Sequence, residues 1–231
     1  MQTFFTFLDL PEELKTPICR TMPGEDRIEI GYMRRRATDD TDAEEKMYFH
    51  YHPDVETLFA SAIHAAGEKT KDFLRAARAV WDTTIQISED AVDEFETKWP
   101  GVKPRFFPLN AAPHLVIRFL AYHARGAGNF LAKAHYDRGT FTIALGESAP
   151  GLRIGTPEKL VPVEHHDNEV VIMPGTGFQA DIDSGVVPAW HDVVQTKGAE
   201  ITTNTARWAV VAFFDVADAT YVPLSDTHLP R

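Results

Sequence analysis

From Ala112 onward, the sequence is a series of short apolar runs separated by breaks that contain glycine and proline. Residues 116–122 are rich in β-branched and aromatic residues, and the breaks include Gly-Glu-Ser-Ala-Pro-Gly at 146–151 and Pro-Gly-Thr-Gly at 174–177. Short strands at this spacing are typical of antiparallel double-sheet folds, because each chain reversal needs residues that tolerate turn backbone. The pattern predicts a jelly roll over residues 112–216, with a turn and no helix at the Gly-Thr-Gly break.

The residues before this region have a helical pattern instead. Between 54 and 98, apolar residues recur at steps of three and four with charges between them, which indicates amphipathic helices. We expect breaks near Gly67 and Ser88 and an end at Trp99. The predicted fold class is α+β, a double-stranded β-helix (jelly roll) with supporting N-terminal helices. One domain is expected over 1–231, with 1–111 as mostly helical support and lid, 112–216 as the core with the site, and 217–231 as a C-terminal tail.

Charge and cysteine content exclude several classes of protein. The formal net charge of −11 argues against a nucleic-acid partner, since phosphates attract basic surfaces. Cys19 is the single cysteine, so no disulfide framework is possible and a reducing compartment is indicated. No apolar run approaches the roughly 18–20 residues of a membrane span, and residues 1–5 lack the positive region of a signal peptide. We expect a cytoplasmic protein with a small-molecule substrate and no membrane partner; its oligomeric state stays open.

One pair of polar side chains stands out in the predicted sheet. His135 and Asp137 are two residues apart, so an extended strand would point both to one face and Tyr136 to the other. His191 lies in a second strand-like run at 188–194. Two histidines and one carboxylate on one face of a metal form the facial triad of non-haem Fe(II) oxygenases. Zinc accepts the same ligand types, so the triad alone leaves oxidation and hydrolysis open.

The order of motifs around these residues resembles the isopenicillin N synthase-like branch of the 2-oxoglutarate/Fe(II) oxygenases. After His135-x-Asp137 come Gly-Leu-Arg-Ile at 151–154, an apolar run at 168–178, His-Asp-Val-Val at 191–194 and Thr-Ala-Arg-Trp-Ala-Val-Val-Ala-Phe-Phe at 205–214. The likeness covers about 112–216. It implies that His135, Asp137 and His191 hold Fe(II), with 2-oxoglutarate as cosubstrate and dioxygen as oxidant. The implied outcome is hydroxylation, desaturation or ring closure of a small molecule, with release of succinate and carbon dioxide.

The same resemblance assigns the cosubstrate's far carboxylate to Arg207 and Tyr122. A guanidinium in an apolar strand is costly unless an anion meets it, which fits Arg207. Two positions depart from the family pattern: Ala209 stands where the family has serine, and Leu120 where some members have asparagine. We expect one of the loop threonines to supply a compensating donor; these are Thr202, Thr203 and Thr205.

Substrate contacts and the first fifty residues are less constrained. Candidates for the substrate wall are Tyr136, Arg138, Phe178, Trp190 and Phe213, and Arg138 together with Lys133 favours an anionic substrate. Residues 10–15 are expected to start a helix, because proline and acidic residues favour its first turn. The change from Arg34-Arg35-Arg36 to acids at Asp39, Asp40 and Asp42 indicates a solvated loop, or a lid arginine that reaches an acidic substrate. His50 and His52 form an aromatic-rich wall or, less simply, a second metal pair.

Two other classes remain open at this stage. A cupin-type metal-dependent dioxygenase or isomerase would share the double-sheet fold, but it normally carries His-x-His and a downstream glutamate, which the residues around His135 lack. A non-catalytic jelly-roll binding protein would account for the strands and leave Arg207 unexplained. Asp137 favours oxygenation over halogenation, because family halogenases replace this carboxylate with a small residue.

Overall fold

The computed structural model describes residues 1–21, 28–35, 44–126, 128–199, 201–202 and 204–219. The helices within these ranges are α1 (Gln2–Leu8), α2 (Glu12–Lys15), α3 (Val55–Leu58), α4 (Ala60–Ala66), α5 (Glu68–Lys98), α6 (Lys103–Phe106) and α7 (Thr176–Asp181). The strands are β1 (Cys19–Thr21), β2 (Ile28–Arg35), β3 (Lys46–Tyr51), β4 (His114–His123), β5 (Phe130–His135), β6 (Phe141–Glu147), β7 (Leu152–Thr156), β8 (Lys159–Pro162), β9 (Val171–Pro174), β10 (Trp190–Val194) and β11 (Thr205–Asp215).

These strands form two antiparallel sheets, which confirms the predicted jelly roll with supporting helices. The larger sheet has the order β1-β2-β3-β4-β11-β6-β9, and the smaller sheet has the order β5-β10-β7-β8. The N-terminal region contributes more strand than the sequence predicted, since β1 to β3 extend the larger sheet from its β4 side. The segment before residue 52 is therefore part of the sheet as well as support for it.

The helical layer differs from the prediction at two points. Helix α5 runs without a break through Ser88, whose buried hydroxyl donates to the carbonyl of Thr84 and so has a partner inside the helix. The predicted break at Gly67 and the end at Trp99 are both observed. A short helix, α7, begins directly after Gly175, so the expectation of a turn without a helix was wrong.

Alternation along two central strands separates the core into two layers. In β4, Ile117 and Phe119 point to the helices, while Leu120 and Tyr122 point to the smaller sheet. Successive side chains of a strand face opposite sides, and the same alternation applies to β11. The helix side is a dense aromatic cluster in which Phe141 and Phe214 stack at 5.0 Å. The space between the sheets contains a second, smaller apolar cluster together with polar side chains.

The arginine run and its acidic neighbours fall partly outside the described residues. Arg34 and Arg35 end β2 and lie within 4 Å of glutamates, Arg34 near Glu12 and Glu45 and Arg35 near Glu44. They are strand residues in surface ion pairs, so the loop prediction was wrong for them. Arg36, Asp39, Asp40 and Asp42 lie outside the described residues, as does Thr203 among the loop threonines and 220–231 of the tail. The helix start predicted within residues 10–15 is observed as α2.

Candidate metal and cosubstrate site

Strand pairing brings the two predicted histidines together. His135 at the end of β5 is the register partner of His191 in β10, and their ring centroids are 4.4 Å apart. Directly opposite residues of an antiparallel pair share a face, which explains how side chains so far apart in the chain meet. Ligand atoms of His135, Asp137 and His191 all lie within 4.8 Å of one another, the only such cluster of three among the residues that the structure describes.

Asp137 reaches this cluster from a loop and not from a continuous strand. Strand β5 ends at His135 and β6 begins at Phe141, so the long extended run predicted from 134 to 145 is interrupted. The start of α7 holds this loop, because Thr176 N–H donates to the carbonyl of Asp137 at 2.9 Å. A Cβ added to Gly175 would collide with the carbonyl oxygen of Gly139. The glycine break therefore supports the aspartate loop through close backbone contact.

Each imidazole is oriented by a backbone carbonyl. Nδ1 of His135 lies 2.6 Å from the carbonyl of Lys133, and Nδ1 of His191 lies 2.9 Å from that of Ala189. Since a carbonyl only accepts, each Nδ1 carries the proton and each Nε2 is left as the basic nitrogen. Both Nε2 atoms face the Asp137 carboxylate, at 3.6 Å and 3.8 Å. This is the arrangement that metal-binding histidines use to present one nitrogen to an ion.

The Asp137 carboxylate is held in its charged form. Burial by itself would raise its pKa, but His135, His191 and the Thr142 hydroxyl outweigh burial and hold the pKa of Asp137 well below its usual range. The Thr142 hydroxyl donates to Oδ2 of Asp137 at 2.6 Å. An anionic oxygen ligand beside two neutral imidazoles suits a divalent transition metal. The donor set therefore fits Fe(II).

A cavity between the sheets connects this cluster to Arg207 and Tyr122. Its walls include the inward-facing side chains of β4, β6 and β11, because one face of each strand is turned inward. The lining residues used below are Lys46, Arg118, Leu120, Tyr122, Thr142, Glu147, His165, Arg207, Ala209 and Phe213.

Arg207 lies in this cavity, and the anion that contacts it belongs to the protein. Its Nη2 forms an ion pair with the carboxylate of Glu147, and its Nε donates to the carbonyl of Ala149 at 2.9 Å. The other oxygen of Glu147 is 3.1 Å from Nδ1 of His165. From the isolated charge of Arg207 we expected an external carboxylate, and we did not foresee the contact with Glu147. The only sign of Glu147 in the sequence was its place as an acidic residue at the end of the strand-like run 141–147.

Tyr122 is the register partner of Arg207, and its ring centroid is 5.7 Å from the guanidinium carbon. The pKa of Tyr122 is raised by burial, so the phenol stays protonated and able to donate. Its hydroxyl has no hydrogen-bond partner among the residues that the structure describes. Arg207 and Tyr122 together present N–H and O–H donors to one end of the cavity, which fits the far carboxylate of a dicarboxylic acid.

The two departures from the family pattern are neighbours in space. Leu120 and Ala209 are register partners on β4 and β11, and both are buried in the cavity wall. Neither of the described loop threonines, Thr202 and Thr205, replaces the missing donors. The Thr202 hydroxyl accepts from the N–H groups of Asn204 and Thr205 within the loop, and Thr205 does not line the cavity. The wall between the metal cluster and Arg207 is thus apolar on this side.

Two further cations line the cavity and were missed from the sequence. Lys46 lies opposite Tyr122 on β3, and its Nζ is 2.7 Å from Glu44. Arg118 lies on the same face of β4 as Tyr122, and its Nε donates to Nε2 of His50 at 2.6 Å. Arg118, Leu120 and Tyr122 are spaced two residues apart in the run 116–122. This spacing predicts that Arg118 shares a strand face with Tyr122, and it would have indicated Arg118 as a cavity residue. His50 contacts the cavity through Arg118, and it is not part of a metal-ligand cluster of three in the described part of the chain.

The predicted substrate contacts lie in different places relative to the cavity. Phe213 lines the cavity. Phe178 does not: it is buried against Phe95 and Trp99 in the helical layer, because α7 turns its apolar face to α5, so its predicted role was wrong. Tyr136 and Trp190 pack against each other with ring centroids 4.7 Å apart and lie outside the cavity lining. Arg138 and Lys133 are exposed and also lie outside that lining.

Comparisons with known proteins agree with this geometry. The sequence model of the 2OG-Fe(II) oxygenase superfamily matches residues 111–216. A full-length Neurospora crassa protein, solved in complex with alpha-KG and thymine, is 16% identical with a TM-score of 0.68, over 98% of this chain and 76% of that one. The Arabidopsis thaliana dioxygenase for auxin oxidation 1, solved with 2-oxoglutarate, is 15% identical with a TM-score of 0.63, over 100% and 83%. At these identities the likeness to each structure shows a shared fold. No curated protein matches the chain.

A jelly roll with a His-Asp-His cluster between its sheets fits a metal-dependent oxygenase. Residues 111–216 are a domain of the 2OG-Fe(II) oxygenase superfamily, and the protein is a 2-oxoglutarate- and Fe(II)-dependent dioxygenase. This outcome excludes the cupin and non-catalytic readings of the sequence. Within the described residues, no helix is both long and apolar enough to cross a membrane.

Proposed function

We propose that His135, Asp137 and His191 bind the Fe(II), and that Arg207 and Tyr122 bind the far carboxylate of 2-oxoglutarate. The observation that carries this proposal is the convergence of two Nε2 atoms and one carboxylate within 4.8 Å, at the wall of the cavity that also contains Arg207. When bound, iron and 2-oxoglutarate supply the oxidation of a C–H bond by dioxygen, with release of succinate and carbon dioxide. The substrate is a small organic molecule that occupies the rest of the cavity.

The chain's own residues have distinct tasks in this proposal. The carbonyls of Lys133 and Ala189 keep Nε2 of each histidine deprotonated and directed at one point. Thr142 orients the Asp137 carboxylate. Arg207 offers a planar fork of donors, which sets the register of the cosubstrate relative to the metal ligands. The apolar surface of Leu120 and Ala209 excludes water from the space between these two groups.

An anaerobic titration tests the ligand assignment. Addition of Fe(II) and then 2-oxoglutarate to the wild type should give a weak visible charge-transfer band, and His135→Ala and Asp137→Ala should lose it. His64→Ala is a matched control, because His64 is exposed on α4 and remote from the cavity. Retention of the band at wild-type iron affinity in His135→Ala would show that the ligand set is wrong. Succinate formation across a metabolite panel then identifies the substrate.

The finer assignments belong to the same proposal. Membership of the isopenicillin N synthase-like branch is supported by the order of the motifs from His135-x-Asp137 to Arg207. A cytoplasmic location is supported by the single cysteine, and the absence of a nucleic-acid partner by the net charge of −11. Phe213 is proposed as a substrate contact because it lines the cavity. Tyr136, Trp190 and Arg138 remain predicted substrate contacts, because each is adjacent in the sequence to a proposed metal ligand.

A further inference from the structure

Arg118 lies at the end of the cavity where the metal ligands are. Its register partner on β11 is Val211, and its guanidinium carbon is 4.5 Å from the ring centroid of Phe213. Phe213 is in turn the register partner of Thr142, which donates to Asp137. A short chain of contacts therefore connects Arg118 to the proposed iron ligand.

This position separates Arg118 from the cosubstrate donors. Arg118 and Tyr122 are four residues apart on one strand, which is about 13 Å between their backbone positions. Tyr122 and Arg207 are paired with each other at the other end. The cavity thus has a cationic donor at each end. A five-carbon dicarboxylate bound at the proposed metal ligands and at Arg207 would use Arg207 and leave Arg118. A second molecule bound next to the proposed metal ligands would therefore lie at the Arg118 end.

The guanidinium of Arg118 is held in a defined plane. Its Nε donates to Nε2 of His50 at 2.6 Å, and the rings of Tyr48 and Phe213 lie against it at 5.2 Å and 4.5 Å. Aromatic faces attract a guanidinium and leave its edge for hydrogen bonds in the plane. A carboxylate accepts two parallel N–H donors in that geometry. Little side-chain entropy is lost on binding, because the side chain is already ordered.

The cavity that Arg118 lines has many apolar wall residues. They include Leu120, Val211, Ala144, Met173 and Phe213, with Lys46 as a further cation in the same lining. The protein carries a formal charge of −11, so its overall field repels anions, and a local cation in a low-dielectric cavity is required to bind one. A ligand that matches both features has one carboxylate and an apolar body.

We propose that the substrate of this enzyme is a carboxylic acid with an apolar skeleton, whose carboxylate is bound by Arg118 and whose body lies against Phe213. This inference rests on the proposed function, since it places the substrate beside the iron ligands. It differs from the expectation of an anionic substrate bound by Arg138 and Lys133, which are exposed and outside the cavity lining. Arg118 is thus a specificity-determining residue.

Matched acid and amide probes test this proposal on the anaerobic enzyme loaded with Fe(II) and 2-oxoglutarate. The pairs are 3-phenylpropanoate with 3-phenylpropanamide, and octanoate with octanamide. A ligand that binds the folded protein raises its unfolding temperature in proportion to its affinity. We expect at least one acid to raise the unfolding temperature of the wild type and its amide to have no effect. In Arg118→Gln the affinity for that acid should fall on the order of 10- to 100-fold.

Two control variants and one independent measurement complete the test. Arg75→Gln removes the same charge from an exposed position of α5 and should keep wild-type acid affinity. Arg138→Gln should also keep it; a loss there and not in Arg118→Gln overturns the proposal. The 2-oxoglutarate concentration that develops half of the visible band should stay within about twofold of wild type in Arg118→Gln. A large increase would assign Arg118 to the cosubstrate and overturn the proposal.

The remaining outcomes are also decisive. Equal binding of acids and amides, or binding of neither, contradicts a carboxylate substrate while the Fe(II)–2-oxoglutarate band leaves the proposed function intact. Absence of that band from the wild type contradicts the proposed function itself, and this inference with it.

Discussion

The guanidinium of Arg207 and the carboxylate of Glu147 form an ion pair at the end of the cavity away from the metal ligands. The other oxygen of Glu147 is 3.1 Å from Nδ1 of His165, whose pKa is lowered by burial and by the neighbouring His166. The protein thus provides its own anion for the cation that we propose binds the cosubstrate. On that proposal, the cosubstrate and Glu147 compete for the donors of Arg207.

Glu147→Gln tests this competition. The variant removes the negative charge and keeps a side chain of nearly the same shape, so we expect 2-oxoglutarate to half-saturate the enzyme at a concentration about 3- to 10-fold lower than in the wild type. The visible charge-transfer band measures this directly. A higher requirement would mean that Glu147 serves mainly to hold Arg207 in place. Glu169→Gln, outside the cavity lining, is the matched control.

Arg207→Ala should raise the 2-oxoglutarate requirement by about 100-fold or more, because a charged, two-donor contact to a carboxylate is lost. Iron content measured after anaerobic loading should stay near that of the wild type, since Arg207 is not among the metal-ligand cluster. Arg207→Lys should recover only part of the affinity, because a lysine keeps the charge and loses the planar fork. An unchanged requirement in both variants would show that another group binds the cosubstrate.

Ala209→Ser restores the hydroxyl that family members carry. Ala209 is buried in the cavity wall opposite Leu120, so the new hydroxyl faces the cosubstrate side of the cavity. One hydrogen bond to a charged group contributes about 1.5–3 kcal/mol, and we expect the 2-oxoglutarate requirement to fall by about tenfold. Steady-state succinate formation at varied 2-oxoglutarate measures it. Ala144→Ser, on the neighbouring strand β6, should give a smaller change.

Thr142→Val removes the hydrogen bond that orients Asp137 with little change in shape. Loss of such a supporting partner typically lowers metal affinity by about 10- to 100-fold. We expect weaker Fe(II) binding in an equilibrium titration, while the unfolding temperature of the metal-free protein changes little. Thr84→Val is the control, because its buried hydroxyl donates only within α5. Equal loss of iron affinity in both variants would indicate a general effect on folding.

Glu44 provides a prediction about pH and stability. Burial raises its pKa, but Lys46 and the Lys133 N–H outweigh burial and hold the pKa of Glu44 below its ordinary value of 4.5. A lowered folded-state pKa means that this carboxylate stabilises the protein above about pH 4.5, and that the stabilisation is lost as the pH falls through the folded-state value. Glu44→Gln should therefore cost about 1–3 kcal/mol at pH 7, with the difference from wild type shrinking below pH 4.5 in urea unfolding. A pH-independent difference would assign the loss to packing.

Local patterns in the sequence were sufficient to predict the class of fold and to indicate three candidate metal ligands. Alternating apolar runs with turn residues between them define antiparallel strands, and the His-x-Asp spacing indicated His135 and Asp137 as a pair, although Asp137 reaches the cluster from a loop. The order of the motifs up to Arg207 then indicated the family. The strand and turn patterns can be read from short segments, because strand periodicity and turn chemistry depend on neighbouring residues only. Helix α7 was missed because glycines in a short segment resemble turn residues. Here they are needed for close contact with the loop around Gly139, and a local pattern does not show that contact.

Only the tertiary structure decided which side chains share the cavity. Strand pairing placed Glu147 beside Arg207, Leu120 opposite Ala209, and Arg118 next to Phe213, although these partners are far apart in the chain. Register between strands depends on the packing of whole sheets, and no short segment contains that information. The sequence therefore determined the reaction class and indicated three candidate metal ligands, and the fold determined which charges surround the cavity between them and Arg207.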